Sequence, residues 1–206
     1  MVKICFIGAG STIFAKNVLG DAMLTSSLQD AEIALYDIDE NRLKESELML
    51  QTINKNSNQS RAKIQSFSDR KEALKDANFV INAIQVGGYK PSTVIDFEIP
   101  KKYGLQQTIG DTTGIGGIFR GLRTLPVMFD IAKEMEEVCP DAWLLNYTNP
   151  MAILTMGMLK ATKIKTVGLC HSVQVCVPEL FEHLGIKDQY NLDEFICKIA
   201  VINHMA

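Results

Sequence analysis

Two rhythms of apolar and polar residues alternate along this chain. Short, mostly apolar runs fall at residues 3–7, 32–36, 62–67, 79–84, 142–145 and 166–169, the lengths and compositions of buried strands. Between them lie stretches with helical spacing, at 13–24, 39–54, 69–76, 118–138, 151–162 and 177–184. In the second of these, Leu43, Leu48, Leu50 and Ile53 recur among charged residues, and Asp39 stands where an N-cap belongs. A kink is expected near Pro126, and the Asn- and Ser-rich stretch 54–60 reads as a surface loop. Residues 195–202 alternate weakly and read as a strand opening a new unit. Strand alternating with helix predicts an α/β fold, a doubly wound parallel sheet covered on both faces. Such sheets bind ligands beyond the carboxyl ends of their strands, so position tests each candidate site.

The first strand runs into Gly8-Ala9-Gly10-Ser11, immediately before a helix. Gly8 suits a tight turn, Gly10 lets backbone approach a pyrophosphate, and the helix N-terminus offers N–H donors. Ile13 replaces the third glycine of the dinucleotide fingerprint, and Asp37 ends the second strand. A carboxylate there accepts hydrogen bonds from a ribose and repels a 2′-phosphate, which favours NAD over NADP. The alternative is a plain glycine turn with Asp37 as a helix cap. Gln85-Val86-Gly87-Gly88 closes the fourth strand, either as backbone beside a nicotinamide ribose or as a simple turn.

Composition narrows the class. Of 206 residues 47% are hydrophobic and 22% charged, enough to build a core, and the net charge of −3 disfavours nucleic acid or an anionic membrane as partner. The opening MVKICFIGAG does not read as a secretory signal, and the best apolar run, 143–159, is interrupted by Asn146, Asn149 and Pro150. Five cysteines in no paired spacing suit a reducing, cytoplasmic setting.

The later strand ends carry the candidate chemistry. The fifth leads into Asn146-Tyr147-Thr148-Asn149-Pro150 and the sixth into Cys170-His171, with His204 following much later. Thiolate and imidazole both ligate divalent transition metals, and two such ligands leave positions open for substrate oxygens. On softness alone the metal would be zinc. Singly, each residue has a structural alternative: a buried thiol, a helix cap, a core histidine, a turn former. Cys5, Cys139, Cys176 and Cys197 lack such placement and read as structural thiols. The stretch 112–123, TTGIGGIFRGLR, is either a mobile loop beside nicotinamide and substrate or a helix start with Arg120 and Arg123 on a solvated face.

Taken in order, FIGAGSTIFAKNVLGD, ALYDID, NAIQVGGY, TTGIGGIFRGLRT, LLNYTNPMA, GLCHSVQ and INHMA resemble glycoside hydrolase family 4, nearest its α-galactosidase branch, over essentially the whole chain. The resemblance implies NAD and Mn²⁺ as cofactors. It places NAD on Gly8, Gly10, Ser11 and Asp37, with Gln85 alongside, Mn²⁺ on Cys170 and His204, and sugar hydroxyls on Asn149. His171 stands where several relatives carry an aspartate proposed as general acid, so its role stays open between acid, substrate contact and metal neighbour. The implied chemistry is oxidation at C3, deprotonation at C2, elimination of the aglycone and addition of water. With no arginine in Val86–Lys90, where phosphosugar-specific relatives use one, an unphosphorylated α-galactoside is the expected substrate. Members run to about twice this length and tend to associate, so a homo-oligomer is expected. The resemblance therefore divides the chain into an NAD-binding domain at 1–193 and the first strand of a substrate and metal domain at 194–206. These residues alone are expected to show little turnover. Two other readings remain: an NAD-dependent 2-hydroxy-acid dehydrogenase using Arg120 or Arg123 as carboxylate clamp, and a non-catalytic nucleotide-binding module.

Overall fold

The computed structural model describes residues 1–107, 114–170, 172–186 and 189. Six strands form one sheet: β1 (Lys3–Ile7), β2 (Glu32–Tyr36), β3 (Lys63–Phe67), β4 (Phe79–Asn82), β5 (Trp143–Asn146) and β6 (Lys165–Gly168). All pair in parallel, in the order β3-β2-β1-β4-β5-β6. This is the doubly wound arrangement that the alternation predicts.

The side-chain period of a strand divides the core in two. Cys5 and Ile7 of β1, Val80 of β4 and Leu144 of β5 face one layer, packed by Met128, Ile131 and Met135 of α5 (Ile115–Val138) and by Leu154 and Met158 of α6 (Met151–Ala161). Ile4 and Phe6 of β1, Ile33 and Leu35 of β2 and Ile81 of β4 face the other, against α1 (Thr12–Leu24) and α2 (Glu40–Ser57). Central strands are apolar on both faces for this reason, whereas edge strand β3, KIQSF, alternates. Asp39 caps α2 as expected, its Oδ1 accepting the N–H groups of Asn41 and Arg42, each at 3.1 Å. A short α3 (Arg70–Leu74) precedes β4, and α7 (Ser172–His183) follows β6.

Three segments differ from expectation. Residues 54–60 do not form a polar surface loop: α2 runs on to Ser57, and Asn54 and Asn58 are buried. Their amides stand in for backbone, Asn54 Nδ2 donating to the carbonyl of Ala62 at 2.8 Å and Asn58 Nδ2 to that of Gln29 at 2.7 Å. The second is an irregular turn at Gly88–Thr93 followed by helix α4 (Val94–Lys101), neither of which the pattern predicted. The third is the glycine-rich stretch, which is helical from Ile115. Its glycines serve packing: a Cβ at Gly116 would lie 2.3 Å from the Asp96 carbonyl oxygen, and one at Gly121 would lie 2.9 Å from Ile153. The expected strand at 195–202 and the boundary at 193/194 lie outside the described residues. No helix among the described residues is long and apolar enough to cross a membrane.

Candidate functional site

The strand order reverses between β1 and β4, and the carboxyl ends of the strands flanking that point surround a cleft of about 340 Å³. Beside it runs the turn after β1, which reaches the cleft at Ser11. Gly8 has φ +90, and a Cβ there would lie 2.6 Å from the Ala83 carbonyl oxygen, so the position excludes other residues. The N–H groups of Gly8 and Ala9 both donate to the Tyr36 carbonyl, at 2.9 and 3.1 Å, tying the turn to the end of β2. Gly10 donates its N–H to Asp37 Oδ2 at 2.7 Å, and a Cβ on Gly10 would meet that same oxygen. Asp37 Oδ1 accepts from the N–H of Asp39 at 2.9 Å. An ionised carboxylate offers about four acceptor directions, so Asp37 retains capacity for ribose hydroxyls. Ser11 lines the cleft at the N-terminus of α1 and makes no side-chain cap of its own.

The opposite wall comes from β4, β5 and β6. A buried amide network sets its shape. Asn82 Nδ2 donates to Asn146 Oδ1 at 3.0 Å and to Thr148 Oγ1 at 3.1 Å, while Thr148 Oγ1 donates to the carbonyl of Ile84 at 3.2 Å. Asn146 closes the same network, its Nδ2 donating to the Thr148 carbonyl and its Oδ1 accepting the Thr148 N–H, both at 3.2 Å. The turn carrying Asn149 is thereby fixed, and Asn149 is half-buried on the cleft wall. Phe14 meets Tyr147 edge to face, centroids 4.8 Å apart, both lining the cleft. Cys170 is half-buried at the end of β6, on the same cleft. Gln85 is exposed at its edge, with Nε2 3.2 Å from Thr93 Oγ1.

The structure thus brings Ser11, Gln85, Asn149 and Cys170 to one cleft, with Gly8, Gly10 and Asp37 forming the turn beside it. His171 and His204 lie outside the described residues. Among the described residues no group of three or more His, Cys, Asp and Glu could hold a metal. Of the cysteines read as structural, Cys5 and Cys139 are buried, burial pushing the Cys5 thiol far up and the Cys139 thiol to about 11. Cys176 is exposed on α7, so it is not a core thiol, and Cys197 lies outside the described residues.

Neither arginine of the glycine-rich stretch lies on a solvated face. Arg123 forms a two-pronged pair with the carboxylate of Asp96, at 3.0 and 2.6 Å, and its Nε donates to the Val86 carbonyl at 3.2 Å. Asp96 is buried, and its hydrogen bonds raise the Arg123 pKa above the ordinary guanidinium value. Arg120 lines the cleft, and burial pushes its pKa below the ordinary value. Arg120, weighed from sequence as either a cleft residue or a solvated charge, lies on the cleft, as does Tyr147 of the fifth-strand cluster. Phe14 is a cleft residue that sequence reasoning did not single out; only its nearness to the glycine turn pointed to it.

Known proteins bear on this cleft. The model of the family described as "Family 4 glycosyl hydrolase" matches residues 3–186. An α-galactosidase of Bacillus subtilis (strain 168) is 68% identical over 100% of this chain and 46% of its own length. An α-galactosidase of Rhizobium meliloti (strain 1021) is 40% identical over 98% of this chain and 40% of its own. The chain therefore spans less than half the length of these curated relatives. Among solved structures, a 6-phospho-β-glucosidase from Thermotoga maritima with manganese, NAD⁺ and glucose-6-phosphate superposes with a TM-score of 0.78 at 28% identity, over 90% of this chain and 43% of that one. The family match takes in all six strands and the cleft at their ends, and on that ground the chain belongs to the family 4 glycosyl hydrolases.

Proposed function

We propose that this chain forms the cofactor-binding half of an NAD- and Mn²⁺-dependent glycosidase acting on unphosphorylated α-galactosides. The observation that carries the reading is the 68% identity, without a break in coverage, to a protein named α-galactosidase. The site supports it. The turn at Gly8 and Gly10 packs so closely on the Ala83 carbonyl and on Asp37 that neither position admits a side chain, and Asp37 keeps acceptor capacity beside it. These residues fit a dinucleotide: Gly8, Gly10 and Ser11 would hold its pyrophosphate, Asp37 its ribose, and Gln85 the nicotinamide end. Cys170 fits one metal position, and the reading pairs it with His204. When bound, NAD⁺ would take hydride from the sugar's C3, and Mn²⁺ would polarise the neighbouring oxygens.

The chain's own residues orient the sugar. Asn149, on a turn made rigid by the Asn82–Asn146–Thr148 network, would hydrogen-bond sugar hydroxyls. His171, next to Cys170 in sequence, would touch the substrate or exchange a proton with it. The Phe14–Tyr147 pair lines the cleft and would give the sugar an apolar surface to rest on. Absence of an arginine in Val86–Lys90 supports an unphosphorylated sugar.

The test uses the enzyme at its relatives' full length, with nitrophenyl α-galactoside, NAD⁺, Mn²⁺ and a reductant. Turnover that EDTA abolishes and Mn²⁺ restores supports the reading, as does loss of both metal affinity and turnover in Cys170→Ser. Nitrophenol release indifferent to EDTA refutes the metal-dependent reading, and NAD⁺ reduction by a 2-hydroxy acid without glycoside cleavage would favour a dehydrogenase-like site instead. The 206-residue chain is expected to bind NAD⁺ but to show little turnover by itself; robust turnover would contradict that part.

A further inference from the structure

Charge in the cleft is unbalanced. Among its described lining residues Arg120 is the one cationic side chain, and no lining residue is a carboxylate. The nearby acid is already used: Asp96 gives both oxygens to Arg123. The other carboxylate beside the cleft, Asp37, holds the N–H groups of Gly10 and Asp39. Among the described residues, no acid lies within ion-pair distance of Arg120. A partly buried guanidinium has given up hydration without gaining a counter-ion among the described residues, and its planar fork matches two oxygens of a phosphate or carboxylate.

We propose that Arg120 is an oxyanion-binding residue, reaching into the cleft to take a phosphate or carboxylate group of the bound ligand. Two sources offer such oxygens: the pyrophosphate of a dinucleotide and an acidic group on the sugar. The proposal rests on the glycosidase reading only for the first source, since that reading's neutral α-galactoside carries no acid and an acidic sugar would depart from it; the charge imbalance among the described lining residues stands by itself. Arg120 lies in the second turn of α5, next to Gly121, whose own face lies against Ile153 and Pro150 at the turn that carries Asn149. Arg123, one turn further, faces the Val86 carbonyl. The guanidinium of Arg120 therefore sits among the ends of β4 and β5, within reach of a ligand spanning the cleft.

The experiment titrates the chain and its Arg120→Gln and Arg120→Lys variants with NAD⁺, inorganic pyrophosphate, galacturonate and neutral galactose. Loss of a charge-assisted bidentate contact predicts about tenfold to a hundredfold weaker binding of the anionic ligand in Arg120→Gln, with galactose unchanged. Arg120→Lys keeps charge without the fork and is expected to fall between the two. Weakening confined to NAD⁺ and pyrophosphate identifies the dinucleotide as source, and weakening confined to galacturonate identifies the sugar. Wild-type chain that binds pyrophosphate or galacturonate but not NAD⁺ defeats the dinucleotide reading and leaves the arginine's role standing. Anion affinities equal in wild type and Arg120→Gln overturn the proposal, as does an equal loss for galactose. Should Arg120→Gln fail to fold, an Arg120→Lys variant with wild-type affinity for every anion, undiminished by salt between about 50 and 300 mM, overturns it too.

Discussion

Replacing Gly8 with alanine tests whether the turn after β1 is built as described. The backbone there sits at φ +90, where an L side chain costs roughly 1–2 kcal/mol. The new Cβ would also lie 2.6 Å from the Ala83 carbonyl oxygen, which is backbone and cannot rotate away. Relieving that overlap costs a further ~1–3 kcal/mol. A loss of about 3 kcal/mol corresponds to a melting point roughly 6–12 °C lower for a chain of this size. Unfolding followed through the single tryptophan, Trp143, provides the assay. Gly20→Ala is the matched control. Gly20 lies inside α1 at ordinary helical φ, with nothing within 4 Å of the added Cβ. It should gain about 0.5–1 kcal/mol and melt a few degrees higher. The two substitutions, identical in chemistry, must move stability in opposite directions. A Gly8→Ala chain that melts within about a degree of wild type and keeps its NAD⁺ affinity refutes the account of this turn.

The other predictions concern the groups that hold the cleft. Asp96→Asn leaves Arg123 partly buried without its partner, and stability should fall by about 2–3 kcal/mol with faster amide exchange around the 85–88 turn; unchanged exchange there would show that the pair does not brace it. Asn82→Ala removes the donor shared by Asn146 and Thr148, at a cost of roughly 2–3 kcal/mol, and should weaken sugar binding through Asn149; a chain of full stability would dispose of the network. In native chain at pH 8, Cys170 and Cys176 should react with a thiol reagent long before Cys5 and Cys139, as mass mapping of the labelled sites would reveal. Stability should also decline with alkali. The Cys139 thiol stays protonated up to about 11 when folded but ionises near its ordinary value when unfolded, so the unfolded chain holds fewer protons in that window and gains on the folded one as pH rises. Cys139→Ala should flatten the decline between about pH 9 and pH 11; an unaltered slope refutes the assignment.

Much of the scaffold could be read from sequence because a doubly wound sheet repeats one physical unit. Apolar strands, amphipathic helices and an Asp39 cap are local signals, and each survives in the fold. Site placement was partly legible for the same reason: Gly8, Asp37, Asn149 and Cys170 all follow strand ends, where this architecture gathers its polar residues. The failures came where residue type had two uses. The glycines of 112–123 left loop and helix start equally open, and in the fold those at 116 and 121 are small so that α5 can press on Asp96 of α4 and on Ile153. Asn54 and Asn58 suggested solvent, but their amides complete backbone hydrogen bonds inside. Arg123 can read as a surface charge until α4 is known, because its partner Asp96 lies 27 residues away on a short helix that carries Pro100 and was missed by periodicity.

β1 stands in the middle of the sheet although it precedes every other strand described. β1 has β2 on one side and β4 on the other, with Ile4 opposite both Ile33 and Phe79. During synthesis, then, the amino-terminal strand must wait for some seventy further residues before its second flank is occupied, leaving half of its ladder unmatched in the meantime. Shaving the amino terminus would not trim an edge but would split the sheet into two pieces, β3–β2 and β4–β5–β6, each robbed of the strand that joins them. Fusions and deletions at that end should therefore respect Lys3 as the first indispensable residue.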